Sequence, residues 1–198
     1  EVAIKIPRAH RLSAEDREQF LREARAVAQI NHANIVSVHE VGRDGEQLYI
    51  VSDFVKGVTL AEKLTAQRLS QREAVELCVK IAAALEHAHE NGVIHRDLKP
   101  SNILVTDDQR PMLLDFNLSW DSAHDSHRTG GTLPYMSPEQ VYQLIMDPGA
   151  ELVLDERSDI FSFGVILFEL LHGRLPWDLE PEQRSMHEVA VSLLERQR

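Results

Sequence analysis

The sequence predicts an α+β fold in which a small strand-rich lobe precedes a larger, mostly helical one. Strand signals concentrate in the first quarter of the chain, whereas helical periodicity dominates from residue 70 onward. Segregation of this kind marks α+β architecture rather than alternating strand and helix. A third observation supports it: residues 160–171 are apolar on nearly every face, which predicts a helix buried on all sides within a helical subdomain.

The elements follow in order. Residues 2–6 form a β-branched run closed by Pro7, as a strand ending in a turn does. Ser13 with Asp16 three residues on reads as a capping box for a helix ending near Asn31, with Phe20, Ala24, Val27 and Ala28 on one face. Residues 35–41 and 47–54 read as strands joined across Gly42-Arg43-Asp44-Gly45. Ser70 and Glu73 then cap a long amphipathic helix whose stripe is Ala74, Leu77, Cys78, Ile81, Leu85 and Ala88, stopped by Asn91-Gly92. Two short strands, 103–106 and 112–114, flank a turn at 107–111. Polar loop sequence fills 119–132, and the chain is helical again after Pro138.

Composition narrows the function. The 198 residues carry 21 Lys plus Arg against 32 Asp plus Glu, a net charge of -11 that argues against binding nucleic acid through a general basic surface. Phosphate, if bound, must be met locally. The single cysteine, Cys78, rules out an internal disulfide and falls on an apolar stripe, as a buried thiol in a reducing, cytoplasmic setting does. The most apolar stretch, 161–171, is too short for a bilayer and interrupted by Ser162, Gly164 and Glu169, so no membrane span is expected; a tether elsewhere in a longer parent remains compatible. The chain opens inside a strand and ends in a helical pattern, which reads as a fragment. The ten histidines include His124 with His127 and His87 with His89, but neither pair has two further ligands at structural-zinc spacing, so zinc is not expected.

The chemistry concentrates in His95-Arg96-Asp97-Leu98-Lys99-Pro100-Ser101-Asn102. Six specified residues in an eight-residue window arise by chance in a chain of this length on the order of once in 10⁵ or fewer. The window resembles the catalytic loop of eukaryotic-type serine/threonine protein kinases, and the resemblance runs through most of the chain. It implies a bilobal kinase-like fold, with residues 1–54 as the sheet lobe and its first strands missing, and 55–198 as an incomplete helical lobe. It also implies transfer of the γ-phosphate of ATP to Ser or Thr hydroxyls of protein substrates, with Mg2+, or Mn2+ in its place, as the metal.

Carried over residue by residue, the resemblance makes Asp97 the catalytic base, Asn102 a magnesium ligand and Lys99 a contact to the transferred phosphate, the last a mark of the serine/threonine class. Val2-Ala3-Ile4-Lys5 matches the strand whose lysine holds the α- and β-phosphates, and Glu23 on the following helix is expected to pair with Lys5. Asp115-Phe116-Asn117 stands where the family has Asp-Phe-Gly, with Asp115 as the second magnesium ligand. Asn117 replaces the glycine with the residue that best tolerates left-handed backbone, a variant that resembles bacterial members.

Gly131-Thr132-Leu133-Pro134-Tyr135-Met136-Ser137-Pro138-Glu139 resembles the substrate-receiving segment. There Thr132 positions the base and Lys99, and Glu139 pairs with an arginine expected beyond Arg198. Arg96 is expected to hold a phosphate on an activation-loop residue, for which Thr129 is the first candidate and Ser126 the next, with Ser119 and Ser122 nearby. Asp159 is expected to anchor the backbone of the catalytic loop. Val27, Val38, His95 and Phe116 form an inner apolar stack. The adenine is expected against Ala3 and Leu104, with hinge contacts from the backbone of Asp53 and Val55 and with Ser52 as a small gatekeeper.

The glycine-rich loop that precedes the lysine strand in the family has no counterpart after Glu1, so these 198 residues alone are expected to bind ATP weakly. The alternative reading is a pseudokinase-type binding module, or a fragment inactive for want of that loop. A small-molecule phosphotransferase of similar fold is disfavoured by Lys99 and the Thr132 to Glu139 segment. The substrate and the oligomeric state are left open.

Overall fold

A computed structural model describes residues 1–6, 13–45, 47–116, 132–146, 154–177 and 186–197. Its first sheet is antiparallel, ordered β1-β3-β2, from β1 (Val2–Lys5), β2 (Val38–Asp44) and β3 (Gln47–Asp53). Ala3 lies opposite Ser52 and Lys5 opposite Ile50. Helix α1 (Ala14–Val27) covers one face, where Phe20 and Ala24 pack on Leu48 and Ile50. Its 3.6-residue spacing puts Phe20, Ala24 and Val27 on one face, the first two on the sheet and Val27 in the central core. Ser13 accepts the Arg17 N–H at its carbonyl at 3.1 Å; the Asp16 side chain lies outside the described residues.

The strand expected from residue 35 begins three residues later. Residues 34–36 are committed to the other lobe: the Leu113 N–H donates to Asn34 O at 2.8 Å, Val36 N–H to Leu113 O at 3.0 Å, and the Asn34 amide to Pro111 O at 2.8 Å. The chain turns to the first sheet only at Ser37, whose carbonyl accepts the Asp53 N–H. Residues 54–56 then cross to a second antiparallel sheet, β4 (Gly57–Thr59), β5 (Ile103–Thr106) and β6 (Pro111–Leu113), in that order. Pro111 opens β6, a position that needs no N–H for the ladder.

Sequence reasoning passed over β4 and the short helix after it, α2 (Leu60–Ala66). The signal was Thr59 with Glu62: the Thr59 hydroxyl accepts the Glu62 N–H and the Glu62 carboxylate accepts the Thr59 N–H, a complete capping box. Helix α3 (Gln71–Glu90) matches its prediction, with the Ser70 and Glu73 box present and all six stripe residues buried. It forms the central core with Val93, Leu98, Ile103, Leu113, Phe116, Ile166 and Leu170.

Helices α4 (Pro138–Met146), α5 (Glu156–His172) and α6 (Met186–Arg196) complete the described elements. Leu133 and Val141 pack on Val189, Ala190 and Leu193 between α4 and α6. The expectation that 160–171 is buried all round is corrected: Ile160 is 55% exposed, and the buried stripe of α5 is Ser158, Asp159, Ser162, Val165, Ile166 and Leu170. Half of that stripe is polar: Asp159 takes backbone N–H groups of the loop that carries Asp97, Ser158 donates to Glu139, and Ser162 donates to the Tyr135 carbonyl. No described helix is long and apolar enough to cross a membrane.

Candidate active site

The turn after α3, with Gly92 at φ 71°, drops the chain into a loop that a short 3₁₀ turn (Pro100–Asn102) returns to β5. Asp159, 1% exposed on α5, holds this loop from below. Its carboxylate accepts the N–H of His95 at 2.7 Å and of Arg96 at 2.8 Å, and meets His89 Nε2 at 2.8 Å. Arg96 has φ 64°, a left-handed conformation uncommon outside glycine, and the bonds to Asp159 are what hold it there. The His95 ring is fully buried, with its centroid 4.6 Å from that of Phe116. Burial pushes the His95 pKa down against the opposing pull of Asp159, Asp97 and Asp115, so the imidazole is neutral and packs as an apolar ring.

Asp97 stands on the next peptide. Its Oδ2 accepts from Asn102 Nδ2 at 3.0 Å and pairs with Lys99 Nζ at 2.8 Å. The Asn102 amide nitrogen also donates to the Asp97 carbonyl at 2.8 Å, which leaves its amide oxygen to serve as a ligand. Lys99 reaches on to Thr132, donating to Oγ1 at 2.5 Å. Asp97 Oδ1, the second carboxylate oxygen, has no hydrogen-bond partner among the described residues. A largely buried carboxylate with one oxygen fully engaged and the other unpaired is an acceptor set in a fixed orientation.

Lys5 faces this group from β1, and its ammonium lies 2.9 Å from Asp115 Oδ1. Asp115 itself has φ 57°. Glu23, expected on Lys5, instead meets Arg96 Nη1 at 3.5 Å and accepts from Gln19 Nε2 at 3.3 Å. Two cations and two carboxylates are thus paired crosswise. With Lys5 drawn to Asp115, the Arg96 guanidinium, on its left-handed residue, supplies the charge that Glu23 requires.

The remaining expected residues take these places. Ala3 and Ser52 face one another across β1 and β3, and Leu104 pairs with Thr59 and Met112 in the second sheet. At the crossing, the Asp53 N–H is taken by Ser37 O at 3.0 Å and its carboxylate by His39 at 2.7 Å, while Val55 is half-buried. Glu139 accepts from the Ser158 hydroxyl at 2.6 Å. Burial opposes ionisation there, but hydrogen bonds from Ser158, the backbone and Ser137 outweigh it and hold the Glu139 carboxyl below its ordinary range. Asn117, Ser119, Ser122, His124, Ser126, His127, Thr129 and Gly131 lie outside the described residues.

Two side chains escaped sequence reasoning. His89, weighed only as half of a metal pair, sits on Asp159, a contact across 70 positions that leaves no mark in local pattern. Gln140 had a visible signal, since Ser137 with Gln140 three residues on is a capping-box spacing. Among the described residues no group of three or more His, Cys, Asp or Glu side chains is arranged to hold a metal.

Comparison with known proteins accounts for this geometry. A family model described as protein kinase domain matches residues 1–197. A probable serine/threonine-protein kinase of Clostridium acetobutylicum is 37% identical over 187 residues, covering 90% of this chain and 27% of that protein. Serine/threonine-protein kinase PrkC of Bacillus subtilis is 38% identical over 188 residues, covering 91% and 28%. A probable serine/threonine-protein kinase PknB of Lactococcus lactis is 39% identical over 165 residues, covering 81% and 25%. The chain spans about a quarter of the length of these curated relatives. Matched almost end to end by the family model, and at this identity to several of its members, the chain belongs to the protein kinase domain family.

Proposed function

We propose that this domain transfers the γ-phosphate of ATP to serine or threonine hydroxyls of protein substrates in the cytoplasm. The observation that carries the reading is the contiguous set Asn102, Asp97, Lys99 and Thr132, joined at 2.5–3.0 Å and leaving Asp97 Oδ1 without a hydrogen-bond partner among the described residues. An unpaired carboxylate oxygen, on a group whose other oxygen is held by its neighbours, is suited to orient a substrate hydroxyl and to accept its proton. Lys99, shared between Asp97 and Thr132, is suited to offset negative charge on the phosphoryl group while tying the base to the substrate-receiving segment.

The donor set fits a divalent cation bound with nucleotide phosphates. Asn102 and Asp115 offer hard oxygen ligands from adjacent segments, the Leu114 N–H donating to Asn102 O at 2.9 Å, and magnesium is commonly held by one or two such ligands together with phosphates. When bound, the cation supplies neutralisation of phosphate charge. Asn102 and Asp115 would hold the metal and Lys5 would hold the phosphates. Ala3, Leu104 and the backbone at Asp53 and Val55 line the adenine end.

The test is incubation with γ-labelled ATP, Mg2+ and a generic protein substrate, followed by phosphoamino-acid analysis. Label in phosphoserine or phosphothreonine, lost in Lys5→Met, supports the proposal. ATP binding with no transfer favours the pseudokinase-type module instead.

A further inference from the structure

The residue that precedes the base is gripped on both sides. Asp159 takes the Arg96 N–H at 2.8 Å, and on the opposite side the Arg96 carbonyl accepts from Gln140 Nε2 at 2.7 Å. Gln140 stands in the first turn of α4, where Ser137 is the N-cap, Pro138 occupies the first helical position and Gln140 the third. Its Oε1 accepts the Ser137 N–H at 3.0 Å, and the Gln140 N–H lies 3.5 Å from Ser137 Oγ, so one oxygen of this side chain completes the capping box. The other end of the same amide crosses to the catalytic loop.

We infer that Gln140 is a positioning residue for Asp97, fixing the orientation of the Arg96 carbonyl and thereby coupling the base to the segment that receives substrate. The inference rests on the kinase reading for its effect on turnover. The chemistry is specific to an amide. A capping box is satisfied equally by glutamate, which supplies the acceptor for the N-cap N–H and adds favourable charge at a helix N-terminus. Only glutamine supplies the acceptor and, from the same planar group, an N–H for a second backbone.

The need for that second bond lies in Arg96 itself. At φ 64° the residue is held in a sparsely populated conformation, and rotation of its following peptide would carry Asp97 with it. Asp159 fixes the N–H side of Arg96 only. The carbonyl, on the peptide shared with Asp97, is fixed by Gln140. Asp97 N–H has only a long approach to His95 Nδ1, at 3.4 Å, to oppose such a rotation.

The decisive variant is Gln140→Glu, which retains the cap and loses the donor. The carboxylate oxygen that replaces Nε2 faces the Arg96 carbonyl, acceptor against acceptor, so the expected result is a protein folded at the assay temperature with a melting temperature lower by about 3–6 °C. At the same time kcat falls about tenfold, the equivalent of one lost hydrogen bond, with an unchanged KM for ATP. Amide hydrogen exchange in the 95–99 segment accelerates while that of α4 does not. Gln140→Ala, which loses both bonds, lowers stability as well. Wild-type kcat with unchanged exchange at 95–99 in Gln140→Glu overturns the inference, as does a loss of activity matched by loss of folded protein. Absence of any Asp97-dependent transfer in the wild type defeats the kinase reading alone, and the exchange comparison still decides whether Gln140 holds the loop.

Discussion

Asp159→Asn tests how the catalytic loop is held. The carboxylate is 1% exposed and takes two backbone N–H groups, from His95 and Arg96, together with His89 Nε2, at 2.7–2.8 Å. Asparagine has the same shape but one oxygen and no charge. With that oxygen in the Oδ2 place, the bonds from His95 and His89 survive as neutral ones, each weaker by about 1 kcal/mol. The amide nitrogen then faces the Arg96 N–H, donor against donor, and a buried N–H left without an acceptor costs about 1–3 kcal/mol. The sum is about 3–5 kcal/mol, which for a chain of this size lowers the melting temperature by roughly 10 °C. Thermal unfolding followed by circular dichroism, with urea titration for the free energy, measures it. Asp155→Asn is the control: Asp155 caps the same helix from an exposed position, and asparagine caps as well as aspartate, so little change is expected. A fall of less than about 2 °C in Asp159→Asn, with the loop's amide exchange unchanged, refutes the reasoning.

Other expectations follow from buried groups elsewhere. Burial raises the Glu169 pKa above its ordinary 4.5 despite a hydrogen bond from the Tyr135 hydroxyl at 2.7 Å, so the fold favours the protonated form. The associated stability is present in full below pH 4.5 and is lost as pH rises through the folded-state value. Glu169→Gln, a mimic of the protonated acid, is therefore as stable as wild type in acid and more stable at pH 7. Equal melting temperatures at both pH values would contradict this. Cys78 is 5% exposed, and burial pushes its thiol up to about 11, so a thiol reagent at pH 8 labels it only after unfolding. Rapid labelling of the native protein would be the contrary result.

Legibility in the sequence tracked whether a signal was local. Helix α3 carried its own start, stripe and stop, and its boundaries were readable to the residue. The Lys99 to Thr132 link was anticipated only through resemblance, because the two residues are 33 positions apart and share no local pattern. Ile35 and Val36 look like strand by β-branching, yet the bridge they make is to Leu113 of β6 and not to the first sheet, a decision made by tertiary contact. The apolar run in α5 suggested burial on every side, whereas the buried stripe includes Asp159, which holds the loop carrying Asp97, and Ser162, which holds the Tyr135 carbonyl. Pairing among Lys5, Glu23, Arg96 and Asp115 was the least legible feature. Four charges within reach of one another admit more than one pairing, and sequence order does not choose between them.

The central claim is that Asp97 is the base of a phosphoryl transfer to protein hydroxyls. The most direct measurement is the rate of γ-phosphate transfer to a protein substrate by Asp97→Asn beside wild type, at saturating ATP and Mg2+, with nucleotide affinity measured in parallel. Asparagine keeps the shape and leaves an acceptor for Asn102 and Lys99, so the account predicts unchanged ATP affinity and a rate lower by about 10²–10⁴. Transfer by Asp97→Asn at the wild-type rate would contradict it.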